Sequence, residues 1–142
     1  MTIQEIEKEI IEEFSMFEDW MEKYNYLIEL GRECPVIAEK DKNDKNLIKG
    51  CQSKVWVSAQ LKDGLMEIKA DSDAVITKGI ITLLLRVFNH QKPEDVESAD
   101  IGFIDEIGLT SHLSPTRSNG LNAMIKQIKL YAMAFAIKEQ QK

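Results

Sequence analysis

The strongest constraint on the fold is a stretch in the middle of the chain where apolar residues recur every second position. Val55, Val57, Ala59 and Leu61 alternate with Trp56, Ser58 and Gln60. Asp63-Gly64 supplies a hairpin turn, and Met66, Ile68 and Ala70 resume the alternation. A period of two places one set of side chains on a single face of a strand, so Leu47 to Ala70 reads as a small antiparallel sheet of two or three strands with one core face. On both sides of it the period changes to that of a helix. Ile3, Ile6, Ile10, Phe14, Phe17 and Met21 recur three or four apart after the capping box Thr2-Ile3-Gln4-Glu5, and a second box, Ser15-Met16-Phe17-Glu18, predicts a break near Ser15. The next helix carries Trp20, Tyr24, Leu27 and Ile28 inward and stops at Gly31.

Asp71-Ser72-Asp73 has N-cap chemistry for a helix over Ala74 to Gln91, apolar on nearly all sides and therefore expected at the centre of the core. Pro93 to Val96 and Phe103 to Ile107 are short and helix-prone. A final long helix runs from Ser118, with Leu121, Met124, Ile125, Ile128, Ala132 and Phe135 on one face. Helices before and after a short consecutive set of antiparallel strands predict an α+β domain: about three antiparallel strands packed against several helices, within one unit spanning 1–142. Glu39 to Asn46 is almost wholly polar and reads as a solvated loop.

Composition narrows the function classes. Among 142 residues, 18 Lys and Arg face 24 Asp and Glu, a net charge of −6, with no basic cluster interleaved with aromatics. That argues against nucleic acid as a partner. The most apolar stretch, Ala74 to Phe88, is broken by Lys78 and Arg86 and is too short to span a bilayer. The N-terminus lacks a signal-peptide pattern, so the expected location is the cytoplasm, where thiols stay reduced and a structural disulfide is not expected.

The two cysteines are therefore judged by their surroundings. Cys34 precedes Pro35 at the end of a helical pattern, whereas Cys51 lies in Gly50-Cys51-Gln52-Ser53, a turn entering the sheet. A thiol reacts as the thiolate, so it must be reachable and near groups that favour negative charge. Gly50 removes a side chain beside Cys51, and Gln52, Ser53 and the amides of a tight turn can donate hydrogen bonds to an anion.

The block Leu47-Ile48-Lys49-Gly50-Cys51-Gln52-Ser53-Lys54-Val55-Trp56-Val57 resembles the signature of the SufE family, sulfur-acceptor proteins of iron–sulfur cluster assembly. Three further blocks are similar, in family order: Trp20 to Gly31; Asp71-Ser72-Asp73-Ala74 with Lys78-Gly79; and Leu109-Thr110-Ser111-His112-Leu113-Ser114-Pro115-Thr116-Arg117-Ser118-Asn119-Gly120-Leu121. The resemblance implies a fold shared with IscU-like scaffolds. It also implies a sulfur relay, in which a SufS-like cysteine desulfurase generates a persulfide and Cys51 accepts its sulfur. That acceptance stimulates the desulfurase, and the sulfur then passes to a SufB-like scaffold. No cofactor is expected on this chain, since pyridoxal phosphate belongs to the desulfurase.

The resemblance marks Arg117, Asp71 and Asp73 as supporting or docking residues, with Asp73 near the cysteine turn. For the two aspartates N-capping is the alternative. For Arg117 the alternative is a surface ion pair at a helix start. His112 would be either a base for the thiol or a hydrogen-bonding surface residue, and Trp56 is expected to pack on the sheet. A reactive persulfide gains from shelter, so Cys51 is expected in a partly covered pocket. Cys34 departs from the aliphatic residue common in the family and leaves a disulfide with Cys51 open, and Ile101 to Ile107 lacks an Arg-Pro-x-Phe found in some members. A homodimer fits the family but has no motif here. Two other classes remain. A cluster- or metal-binding scaffold would need three or four ligands, against Cys34, Cys51, His90 and His112 in no ligand spacing. A thiol hydrolase on Cys51 and His112 would need an oxyanion-hole motif.

Overall fold

The structure, a computed structural model, describes residues 1–140. It is α+β. Helix α1 (Ile3–Ser15) begins with the Thr2/Glu5 capping box, both halves formed, and α2 (Trp20–Gly31) follows. The break near Ser15 is present, but the cap of α2 is Asp19, whose Oδ1 accepts from the Glu22 amide at 2.9 Å. The carboxylate sits directly at the helix start, where Ser15 is too far upstream to reach a free amide.

Strands β1 (Val55–Lys62) and β2 (Leu65–Ser72) form an antiparallel pair in register from Val55↔Ser72 to Lys62↔Leu65. The turn between them uses Asp63 at φ 56° and Gly64 at φ 79°, the left-handed conformations that a tight hairpin requires. The sheet has two strands, below the expected three. On each outer edge the flanking chain forms only a single bridge, Leu47↔Trp56 and Val36↔Ala70. The Gly50 turn ends the first ladder at once. Beside the second, Pro35 accepts from the Ala70 amide at 3.0 Å but has no N–H to return. The outer edge of β2 is nonetheless covered: Ala70 bonds to Pro35 and Ile37, Ile68 to the Asn89 side chain, and Met66 to His90 and Gln91.

Helix α3 (Val75–Phe88) is central. Ile80 to Leu85 are all buried, and the helix packs on α2, β2, α1 and α7. It crosses α2 so closely that a Cβ on Gly79 would collide with the Leu27 carbonyl, which makes glycine necessary there. It ends at Phe88, three residues before the expected Gln91, because residues 89–91 pair with β2 instead of continuing the helix. Short helices α4 (Pro93–Ser98), α5 (Phe103–Glu106) and α6 (Leu109–His112) lead to α7 (Pro115–Gln140), which starts at the proline rather than at Ser118. Proline fits a first helical position, where its missing N–H costs nothing. Among the described residues no helix is long and apolar enough to cross a membrane.

The polar loop is more than solvated. Lys42, just past a 3-10 turn over Glu39–Asp41, reaches back to Asp71 at 2.6 Å and lies 5.5 Å from the Trp56 ring centroid.

Candidate functional site

The Cys51 turn projects from a firm neck. Ile48 donates to the Val55 carbonyl at 2.8 Å and Val57 to the Asn46 carbonyl at 2.9 Å, so both ends of the turn are tied to the base of β1. Between them the chain reverses through Gly50 at φ 96°, a conformation that strains any other residue. The turn lies across a pocket of about 390 Å³ between the first turns of two helices. Asp73, Ala74, Thr77 and Ile80 line it from α3 and the residues before it, and Thr116, Arg117, Gly120 and Met124 line it from α7. Both sets follow helical spacing, so each helix contributes one face.

Cys51 is half-buried, and its thiol is directed at the Gly120 carbonyl, 3.7 Å away. A Cβ on Gly120 would stand 3.4 Å from the sulfur, at the near edge of ordinary contact, so the thiol packs directly against this point of α7. Burial pushes the Cys51 thiol above its ordinary value, which makes the neutral thiol the resting form at neutral pH. Burial is the one cause of that shift, although positive groups also border the pocket. The N-terminal ends of α3 and α7 carry partial positive charge, α3 has no side-chain cap, and the exposed Arg117 lines the pocket.

Two further contacts hold the turn. Ser53 donates from its hydroxyl to the Thr77 hydroxyl at 3.2 Å. Asp73 accepts from the Lys54 amide at 3.0 Å on its carboxylate and donates its own amide to the Lys54 carbonyl at 3.2 Å. Of the residues singled out in the sequence, Cys51, Gln52, Ser53, Asp73 and Arg117 come together around the pocket, while Gly50 shapes the turn without lining it.

Asp71 and His112 do not join them. Asp71 is buried at the end of β2, ion-paired with Lys42 at 2.6 Å and Lys78 at 3.2 Å. Burial alone would raise its pKa, but the hydrogen bonds from Lys42, the Ser72 amide and Lys78 outweigh this and hold the carboxyl below its ordinary range. The N-capping expectation fails for both aspartates: α3 begins after Ala74 without a side-chain cap, and the Ser72 hydroxyl accepts from the Ala74 amide instead. Asp71 is committed to the strand and Asp73 to Lys54. His112 packs at a tilt against Trp20, 4.0 Å between ring centroids, with Nδ1 3.1 Å from the Gly108 carbonyl, while the Tyr24 hydroxyl donates to its carbonyl at 2.9 Å. It packs α6 against α2 and does not line the pocket.

Both cysteines are free thiols. Cys34 is buried, its sulfur donating to the Ala70 carbonyl at 3.4 Å, and burial raises its pKa. Sequence reasoning missed Thr77 and Gly120 as pocket residues. Their signals were present but weak: Thr77 lies one helical turn after Asp73, and Gly120 one turn after Arg117. A second depression, of about 420 Å³, lies at the far end of α3 near Arg86 and His90 and contains no cysteine. Among the described residues no group of three or more His, Cys, Asp and Glu side chains is placed to hold a metal.

The solution structure of a protein from Thermus thermophilus, described as hypothetical, has the same fold. It is 20% identical, with a TM-score of 0.78 over 93% of this chain and 96% of that one. The model of the SufE family, an Fe-S metabolism associated domain, matches residues 8–132, which include the Cys51 turn and both helix starts around it. The chain belongs to the SufE family and is thereby associated with iron–sulfur metabolism.

Proposed function

We infer that this protein is a cytoplasmic sulfur carrier, which takes sulfane sulfur from a SufS-like cysteine desulfurase onto Cys51 and delivers it to a SufB-like cluster scaffold. The observation that carries this reading is a single half-buried thiol in a pocket bounded by two helix N-termini and a guanidinium, within a SufE-family chain. The Cys51 thiolate attacks the terminal sulfur of the donor persulfide. A new S–S bond forms at Cys51, the donor's S–S bond breaks, and its electron pair leaves on the donor thiolate, which takes up the proton Cys51 has lost. No external oxidant or reductant is needed.

The resting thiol is protonated and turned toward Gly120, so transfer requires the turn to move the sulfur toward the donor. The 3.7 Å thiol contact and the 3.2 Å hydroxyl pair pin its tip, while the paired Asp73–Lys54 hydrogen bonds hold its trailing end. After transfer, the persulfide anion returns to a pocket whose positive ends favour it and whose walls limit attack by free thiols. Removing sulfur from the desulfurase frees it for another turnover, which accounts for stimulation. A cluster scaffold is less well served, because the pocket lining around Cys51 offers no second thiolate and no imidazole, and its other sulfur is the neutral Met124 thioether.

The test mixes the protein with desulfurase, pyridoxal phosphate and cysteine, then measures the mass of intact chain and Cys51 peptide. One added sulfur atom on Cys51 is expected, and Cys51→Ser should lose both the added mass and the stimulation. Stimulation that survives Cys51→Ser would sink the reading.

A further inference from the structure

The Cys51 pocket does not stand alone on its surface. It shares Asp73 and Ala74 with a second depression, floored by Ile28 and Gly31 and flanked by Arg32 and Lys78. Val75, next in the chain after the two shared residues and lining the second depression, is 62% exposed, one of the few large apolar side chains left open to solvent. Charge is arranged around this pair of depressions. Lys49 and Lys54 are exposed two and three residues from Cys51, placing their Cα atoms within about 11 Å of it. Together with Arg32 and Arg117, they make four exposed cations that pair with no carboxylate among the described residues. The one carboxylate on the shared rim, Asp73, already accepts from the Lys54 amide. Elsewhere the balance is reversed: residues 1–27 hold two Lys and Arg against eight Asp and Glu. A chain of net charge −6 has thus kept its reactive face positive.

We propose that the docking face extends beyond the Cys51 pocket, past the shared Asp73 and Ala74, into the Arg32/Lys78 depression with its exposed Val75, and that it fits an acidic surface surrounding the persulfide of the sulfur donor. The inference rests on the sulfur-carrier reading and specifies the partner's surface. Unpaired cations at a rim attract an acidic partner over several ångströms and orient the encounter, with the acidic N-terminal helices repelled from the same surface. Val75 and Ile28 offer an apolar contact within the second depression beside Arg32 and Lys78, the arrangement of a small core with a polar rim.

The experiment measures kcat/KM for sulfur transfer to this protein from its desulfurase, at low and high salt. It uses the wild type, Arg32→Glu, Lys54→Glu and Lys62→Glu. Lys62 ends β1 at the hairpin, about 23 Å of strand from its base, and serves as a distant control. Each of Arg32→Glu and Lys54→Glu should lower kcat/KM on the order of five-fold at low salt, with the difference closing at high salt and Lys62→Glu tracking the wild type. Thermal melts confirm that each variant folds. If both variants match the wild type while transfer proceeds, the docking face is overturned and the carrier reading stands. If only Arg32→Glu is silent, the extension into the second depression is overturned. If the wild type accepts no sulfur at all, both fall.

Discussion

The two ends of α3 are built to opposite rules. At its C-terminal end Arg86 is held by Glu9 at 2.7 Å and by a two-nitrogen grip on Glu13, and Tyr26 bonds to the same carboxylate. The Glu13 hydrogen bond is the main reason the guanidinium is held above its ordinary pKa, and Arg86 in turn depresses Glu13. One residue past the helix, the Asn89 side chain both accepts from the Ile68 amide at 2.6 Å and donates to its carbonyl at 3.1 Å. At the N-terminal end there is no side-chain cap, and the tip of the Cys51 turn rests on one weak thiol contact and one hydroxyl pair. The helix itself is anchored along its length, by Gly79 against α2 and by Arg86 and Asn89 at its end, and only the turn carrying the reactive thiol is lightly tied. A carrier needs a rigid base and a tip that is cheap to move.

Three experiments can break or sharpen this contrast. The largest effect is expected at the anchored end. Arg86→Met leaves Glu9 and Glu13 facing each other without their cation, and should cost about 2 kcal/mol, less than a fully buried pair because the side chain is partly exposed. In a chain of this size that is on the order of 8 °C in Tm, read by thermal or urea melts. Sulfur acceptance per folded molecule should be unchanged, and a matching loss of acceptance would blur the division between the two ends.

At the lightly tied end, Thr77→Val removes the acceptor for Ser53 while keeping the shape. The turn should open more often, and Cys51 should react with an alkylating agent about five-fold faster, the scale of one lost hydrogen bond, with stability nearly constant. Thr77→Ser should restore the slow rate. Equal rates in all three would show that the hydroxyl pair holds nothing.

The smallest effect is in the pH profile of that labelling. Because burial raises the Cys51 pKa, the rate in the wild type should climb through a midpoint above that of an ordinary cysteine. In Thr77→Val the midpoint should move down toward the ordinary value as the thiol spends more time in water. A wild-type midpoint at or below the ordinary value would mean that the helix ends and Arg117 outweigh burial already in the free protein.

Much of this was legible in the sequence, for physical reasons that are local. Alternation at Val55 to Ala70 and the Asp63-Gly64 turn fix a hairpin, since a strand face and a left-handed turn depend on neighbouring residues. The apolar surround of α3 placed it in the core. The third strand was not legible, because whether Leu47 or Val36 extends the sheet depends on how many partners a second segment can offer, and each offers one. Capping was misjudged at α2 and α3 because several residues with cap chemistry lie together at each start. Which one caps is set by where the backbone turns, and the competing hydrogen bonds to Lys42, Lys78 and Lys54 come from elsewhere in the chain.

The amino-acid sequence by itself determined the helices, the hairpin, the family and the cysteine that stands in a glycine turn. Those features arise from periodicity and short motifs, whose causes lie within a few residues. Only the tertiary structure decided which of the marked side chains share a site. Cys51 meets Gly120 across 69 positions and Ser53 meets Thr77 across 24, while Asp71 is drawn away by two lysines and His112 by Trp20. Such pairings are settled when packed helices bring distant segments within bonding distance, where each polar side chain that loses water must find a partner.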